Sequence, residues 1–217
     1  MERKYFKRNY KLWAACSSPD DDLQPSMREN EFVYFQDGYA LASNTHIAVK
    51  VPLSQCTSGF ESEDLRKLSG FRIHCSLLKI VAAMKDIAIK EAEVEAQEEP
   101  EIVSGVEAGM EGVVVLSGSV LNNDISITLH THGEDKHSSR IMEVFKMDGE
   151  RQPISSIGIR VELLRDLAAA MGSNTVKMRF TQLNRKVYIE DVGVASNASI
   201  GVIMPVHIDE QLPGFEG

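Results

Sequence analysis

Between Ile157 and Ile208 the spacing of apolar residues changes character. In IGIRVELLRDLAAAMGSN they fall at Val161, Leu164, Leu167, Ala168 and Met171, one face of an amphipathic helix. Gly172 follows, placed to end that helix in the left-handed conformation. Three short runs come next, at 176–180, 186–190 and 200–206, which alternate or are continuously apolar and are separated by Asn-, Gly- and Ser-rich turns. That pattern predicts strands. The segment reads as strand, helix, strand, strand, strand.

The same order can be drawn twice more. Residues 5–16 form a helix on this reading, its first few residues open to a strand, with Phe6, Tyr10 and Trp13 on one side and Lys4, Lys7, Arg8 and Lys11 nearly opposite. The proline-containing stretch 17–30, with three consecutive aspartates, reads as a loop and as solvated turn material rather than a cation site. EFVYF (31–35) and YALAS (39–43) flank an Asp-Gly turn and predict a hairpin, followed by an alternating strand at 46–53. Residues 54–70 are a polar connector with a helical turn at 63–68. A strand at 71–75 then leads to Ser76 as N-cap and a helix with Leu77, Ile80, Val81 and Met84 on its apolar face and Lys79 and Lys85 off it. Residues 89–96 suit a strand or a continued helix. Strands at 112–118 and 124–132, joined by an Asn-Asn turn, and a last strand at 140–147 complete this copy. The three copies cover 4–53, 71–147 and 157–208. The first two group into one domain over 1–150, the third stands over 154–208, and 209–217 is a tail. One helix and an antiparallel meander per copy imply an α+β fold with helices on one face of the sheets.

Composition adds boundaries. The 217 residues are 43% apolar and 25% charged, as expected of a soluble globular protein. There is no apolar run of membrane-spanning length, and the basic start ERKYFKRNYK has no signal-peptide core, so a cytoplasmic location is expected. Three cysteines (Cys16, Cys56, Cys75) without CxxC spacing suit buried thiols better than disulfides or zinc. The net charge of −9 is unevenly spread. Five bases face one acid in residues 1–11, whereas 91–111 hold eight glutamates and no base. An acidic shell with a confined basic surface remains compatible with DNA, because only the facing surface feels the phosphates.

Candidate chemistry is sparse. His130 and His132 alternate along one predicted strand, with Glu134, Asp135 and His137 following. Two ligands on one face are geometrically available, but a solvated strand end explains the cluster more simply. The chain has no P-loop, Rossmann glycine pattern, HExxH or G-x-S-x-G, and no residue takes a catalytic role. No cofactor is expected.

The last copy resembles the C-terminal half-domain of bacterial DNA polymerase III β subunits, the sliding clamps, in IGIRVELLRDLAAAM, VKMRF, VYIEDVGVASNAS and the ending VIMPVHI. The first copy is similar to the clamp N-terminus, through Asp-Gly and LASNTHIAVKV, and the end of the second, VFKMD, sits where clamps often carry Phe-Pro and an acidic residue. The resemblance implies a DNA-clamp fold and a non-enzymatic processivity factor that encircles double-stranded DNA without sequence preference. Cations on the helices lining the ring would contact phosphates: Lys7, Arg8, Lys11, Lys79, Lys85 and Arg165. It also implies that peptide motifs of a polymerase or clamp loader bind near the C-terminal strand, at Leu183, Val202, Met204, Pro205 and Val206. A clamp subunit has six half-units where this chain has three, so a ring of the usual twelve would need four chains, with a half-ring, a different oligomer or a lone clamp-like module as the alternatives; a homo-oligomer is expected. The alternative is a clamp-fold interaction module that does not encircle DNA. The tail DEQLPGFEG and His207, where a basic residue is usual, depart from the family pattern.

Overall fold

The computed structural model describes residues 3–18, 25–92, 113–131, 136–146, 157–180, 186–192 and 199–205. In chain order these residues form β1 (Tyr5–Phe6), a 3-10 turn (Leu12–Ala15), a longer 3-10 segment (Pro25–Glu31), β2 (Phe32–Gln36), β3 (Tyr39–Ser43) and β4 (Ile47–Pro52). Then come α1 (Leu53–Cys56), β5 (Thr57–Ser58), α2 (Ser62–Leu68), β6 (Phe71–His74), α3 (Cys75–Val81) and β7 (Lys85–Ala92). The remaining elements are β8 (Val113–Val120), β9 (Asn123–Thr131), α4 (Lys136–Val144), α5 (Val161–Met171), β10 (Val176–Phe180), β11 (Val187–Asp191) and β12 (Ile200–Ile203).

Ten of the strands make one sheet, in the order β10-β11-β12-β4-β3-β2-β6-β9-β8-β7, while β1 and β5 pair separately. Every pairing is antiparallel. The expected α+β class is therefore found, with few helices on a large antiparallel sheet. Three meanders lie along it, β2-β3-β4, β7-β8-β9 and β10-β11-β12, and each follows a helical element: the Leu12–Ala15 turn, α3 and α5.

Strand alternation sorts the core between the two faces. Val33, Phe35, Ala40, Ala42, Ile47, Val49 and Val51 belong to the main cluster with Leu12, Leu78, Val81, Leu167 and Met171. The intervening Tyr34, Leu41 and Ala48 form a smaller cluster with Ile141. The Leu12–Ala15 turn, α3 and α5 thus cover one face and α4 covers the other. The turn packs against both α3 and α5, and the Lys11 N–H donates to the Ala169 carbonyl (2.9 Å).

Several expectations are corrected. Residues 5–16 are a two-residue strand and a 3-10 turn instead of an α-helix, because the backbone is committed elsewhere: β1 pairs with β5 and the Lys7 N–H donates to Cys56 O (2.8 Å). Where a strand was expected over 140–147, residues 140–144 are the end of α4. Its apolar residues Ile141, Val144 and Phe145 stand at helical spacing, and Ile141 packs on Tyr34 and Leu41. On α3 the buried residues are Cys75, Leu78 and Val81, whereas Leu77 and Ile80 are exposed. The helix is rotated relative to the expected face. Its N-cap is His74, whose ring accepts from the Ser76 N–H (3.3 Å), two residues earlier than the cap expected at Ser76. Val161, the first residue of α5, is 73% exposed, and the buried residues of the helix are Leu167, Ala170 and Met171. β12 ends at Ile203, short of the run expected to 206. Gly172 does cap α5 at φ +66°, and 85–92 is a strand.

One stabilising ion pair carries a pH dependence. Lys4 Nζ lies 2.6 Å from Asp64 Oδ2, and the same oxygen accepts from the Glu61 N–H (2.9 Å), closing a capping box on α2. Burial alone raises the Asp64 pKa, but the Lys4 and Glu61 hydrogen bonds and the Lys4 and Lys67 charges outweigh it and hold the carboxyl below its usual range. A lowered folded-state pKa means stability that is full above the unfolded value of about 4 and lost as pH falls through the folded value. Asp64→Asn is expected to lower stability at neutral pH and to flatten the acid limb of stability against pH below about 4, read by urea unfolding at stepped pH. An unchanged acid limb overturns the assignment.

Candidate functional site

Of the six cations assigned to DNA, five lie on the segments that cover the main helical face. Lys7, Arg8 and Lys11 follow β1 and precede the Leu12–Ala15 turn, Lys79 is on α3 and Arg165 on α5. Arg8, Lys11, Lys79 and Arg165 are exposed and Lys7 is half-buried. Arg8 is already engaged: its Nε donates to Ala82 O (3.3 Å) and a terminal nitrogen to Ala83 O (3.5 Å), just past the end of α3. Arg165 Nε sits 3.3 Å from Asp166 Oδ1, an exposed contact of little energetic consequence. Lys85, exposed, opens β7, opposite Ser119, and is not on a helix. Packing of the turn between α3 and α5 brings the positions of Lys7 to Lys11, Lys79 and Arg165 into one layer, which their separation in sequence did not require. Exposed Leu77 and Ile80 stand in the same layer, flanking Lys79.

The partner-peptide positions within the described residues fall on β12 and just after it, the strand over which α5 packs. Val202 pairs with Ala48 and Tyr188 in the neighbouring strands and is 1% exposed, so it is floor rather than contact surface. Met204 is 45% exposed, tied by its N–H to His46 O (2.9 Å), and Pro205 is half-buried. Leu183 and Val206 lie outside the described residues, as do His132, Glu134 and Asp135 of the histidine cluster. His130 is exposed on β9, and His137 on α4 stacks at 5.5 Å on Tyr34 instead. Among the described residues no group of three or more His, Cys, Asp or Glu is arranged to hold a metal.

A cationic surface was missed by sequence reasoning. Continuing the β11·β12 register one residue past Val187 and Ile203 places Lys186 opposite Met204, on the face that carries α4. There Lys186 Nζ donates to Val144 O (3.3 Å) and the Tyr188 hydroxyl donates to Lys146 O (2.8 Å), two bonds that satisfy carbonyls at the carboxyl end of α4. An open cleft of about 390 Å³ results, lined by Arg140, Glu143, Val144, Lys146 and Lys186. The signal in the sequence is the alternation Lys177-x-Arg179 and Lys186-x-Tyr188, which sets polar residues on one face of each strand.

The centre of the α4 face is held by a second polar group. Arg72 pairs with Glu29 and lies 4.6 Å over the Phe32 ring, the buried Tyr34 hydroxyl donates to Glu29 Oε2 (2.7 Å), and His74 Nε2 meets Glu31 Oε2 (3.1 Å). These contacts lock the Pro25–Glu31 segment to β2 and β6. All three cysteines are buried with their thiol pKa values raised: Cys16 and Cys75 by desolvation, Cys56 by desolvation to about 12. They are inert packing thiols under native conditions. No helix of the described chain is long and apolar enough to cross a membrane. Compared with known proteins, the chain matches no family model and no curated protein.

Proposed function

We propose that the chain is a sliding-clamp-like processivity factor: an oligomeric ring of clamp-fold half-units that encircles duplex DNA without sequence preference and tethers a polymerase or another DNA enzyme. What carries this reading is the unit repeated along one sheet, a helical element followed by a three-stranded antiparallel meander, with all three helical elements on the same face and exposed cations among them. Phosphates would meet Lys7, Lys11, Lys79 and Arg165 directly. Arg8 would add its charge while its donors stay on Ala82 and Ala83, and Lys85 would act from the start of β7. Retention by topology needs little affinity, so a net charge of −9 is compatible with the role. Among the described residues the sheet ends in β7 and β10, and head-to-tail pairing of unlike edges is the contact type that closes a ring. The role is non-enzymatic and cytoplasmic, needs no cofactor, and uses the surface around Met204 and Pro205 for polymerase or loader peptides.

A second reading, a clamp-fold interaction module that leaves DNA alone, is favoured by one feature: Leu77 and Ile80 put apolar surface where a DNA-lining helix carries none of use. Loading the protein onto nicked circular DNA and then linearising the circle separates the two. The clamp reading expects retention on the circle at salt that dissolves electrostatic binding, and release on linearisation. Equal loss from circle and line, or a monomer by solution mass with and without DNA, overturns it.

A further inference from the structure

The α4 face at the third meander is basic in a chain that is acidic overall. β10 carries Lys177 opposite Glu190 and Arg179 opposite Tyr188, and Arg179 pairs with Glu190 (2.9 Å). Alternation puts these side chains on the same face as Tyr188 and Lys186, whose neighbours are Arg140 and Lys146 of the cleft. The cations of this surface outnumber Glu143 and Glu190, against the −9 of the whole chain. Two further properties narrow the ligand. Val144 in the cleft and exposed Met204 beside Lys186 supply apolar contact, and Glu143 sets a carboxylate among the bases. A phosphodiester backbone gains nothing from either. An extended peptide gains from the apolar contact through its side chains, and its main-chain N–H groups can donate to the carboxylate, which a phosphodiester cannot do.

Among the described residues β10 is also the end strand of the sheet. A segment that adds to it has every second residue beside Lys177 and Arg179 and the others beside Val176, Met178 and Phe180, which pack on the main core. The rule for such a partner is acidic on one face and apolar on the other.

We infer that the cleft between the carboxyl end of α4 and β11, together with the β10 edge, is a docking site for an acidic, alternately apolar segment of a partner protein. It shares ground with the partner-peptide half of the proposed function and is independent of whether the chain encircles DNA. Acidic groups of the segment meet Arg140, Lys146, Lys177 and Lys186, while its apolar groups cover Val144 and Met204.

The test is fluorescence anisotropy on the full chain with a labelled peptide alternating leucine and glutamate, its leucine–glutamine counterpart, and a labelled single-stranded oligonucleotide. The glutamate peptide is expected to bind at least about tenfold more tightly than the glutamine one, with affinity falling as salt rises. The double variant Arg140→Glu/Lys146→Glu, both sites exposed, is expected to lose about tenfold or more. Lys90→Glu, on distant β7, leaves binding unchanged. Lys186 is kept because its ammonium also caps α4. Equal binding of the two peptides, insensitivity to the double variant with an intact circular dichroism spectrum, or tighter binding of the oligonucleotide each overturns the proposal. Retention on circular DNA is scored separately, so failure of one reading leaves the other standing.

Discussion

Leu167→Ala is expected to cost about 2–5 kcal/mol, a large share of the stability of a domain this size. Leu167 is fully buried on α5 and lies over Gly201 of β12. A Cβ built on Gly201 would come within 2.5 to 2.7 Å of the Leu167 side-chain carbons, so the glycine is the hole into which the leucine fits. Gly201→Ala alone therefore overpacks the same contact, at about 1–3 kcal/mol. The two losses share one space, and the double variant Leu167→Ala/Gly201→Ala should be less destabilised than their sum, because the new methyl partly fills the cavity. Urea unfolding of the four proteins measures this coupling. Strict additivity would show that α5 does not sit on β12 in this way.

Gly59→Ala is the second large effect, and it links folding to the basic surface. Gly59 has φ +70°, and a Cβ there would overlap the Arg3 carbonyl oxygen and lie 2.9 Å from the Arg3 carbonyl carbon. Both the left-handed backbone and the clash with main chain resist relief, and together they cost about 2–4 kcal/mol. The damage falls on the β1·β5 pair, Tyr5 with Ser58 and Phe6 with Thr57, which anchors Phe6 against Phe35 and Phe60 at 6.1 and 5.6 Å. Lys7, Arg8 and Lys11 follow immediately. The expected outcome is a lowered urea midpoint together with faster hydrogen exchange at Lys7 and Lys11, whose N–H groups donate to Cys56 and Ala169. Native exchange at those two amides in the variant would sink the coupling.

Much of the fold is legible in the sequence where one local signal dominates. The Asp-Gly turn of β2–β3, with Asp37 and Gly38 both at positive φ, and the Gly172 cap are written in residue types that few other conformations tolerate. Where two readings share one pattern, the chain could not choose. Residues 136–144 and 5–16 hold apolar residues that suit either element, and contacts far away in sequence decide them: Tyr34 and Leu41 for α4, Thr57, Ser58 and Cys56 for β1 and the segment after it. The candidate surfaces divide similarly. The cations of the first segment were visible as a cluster, but the cleft at Arg140, Lys146 and Lys186 joins two units and has no local signature.

The sequence by itself determined the alternation that gives each strand a buried and a second face, the turns that fix the hairpins, the amphipathic α5, and the three-fold recurrence of helical element and meander. These depend on side-chain period and on backbone torsions, which are local. Only the tertiary structure decided that β12 lies beside β4 and β2 beside β6, which fuses the three meanders into one sheet. It alone set the rotation that exposes Leu77 and Ile80, and placed α4 on the face opposite the other helices. Those choices rest on which apolar surfaces bury each other and which edge carbonyls and N–H groups find partners, and such non-local complementarity is carried by no single stretch of the chain.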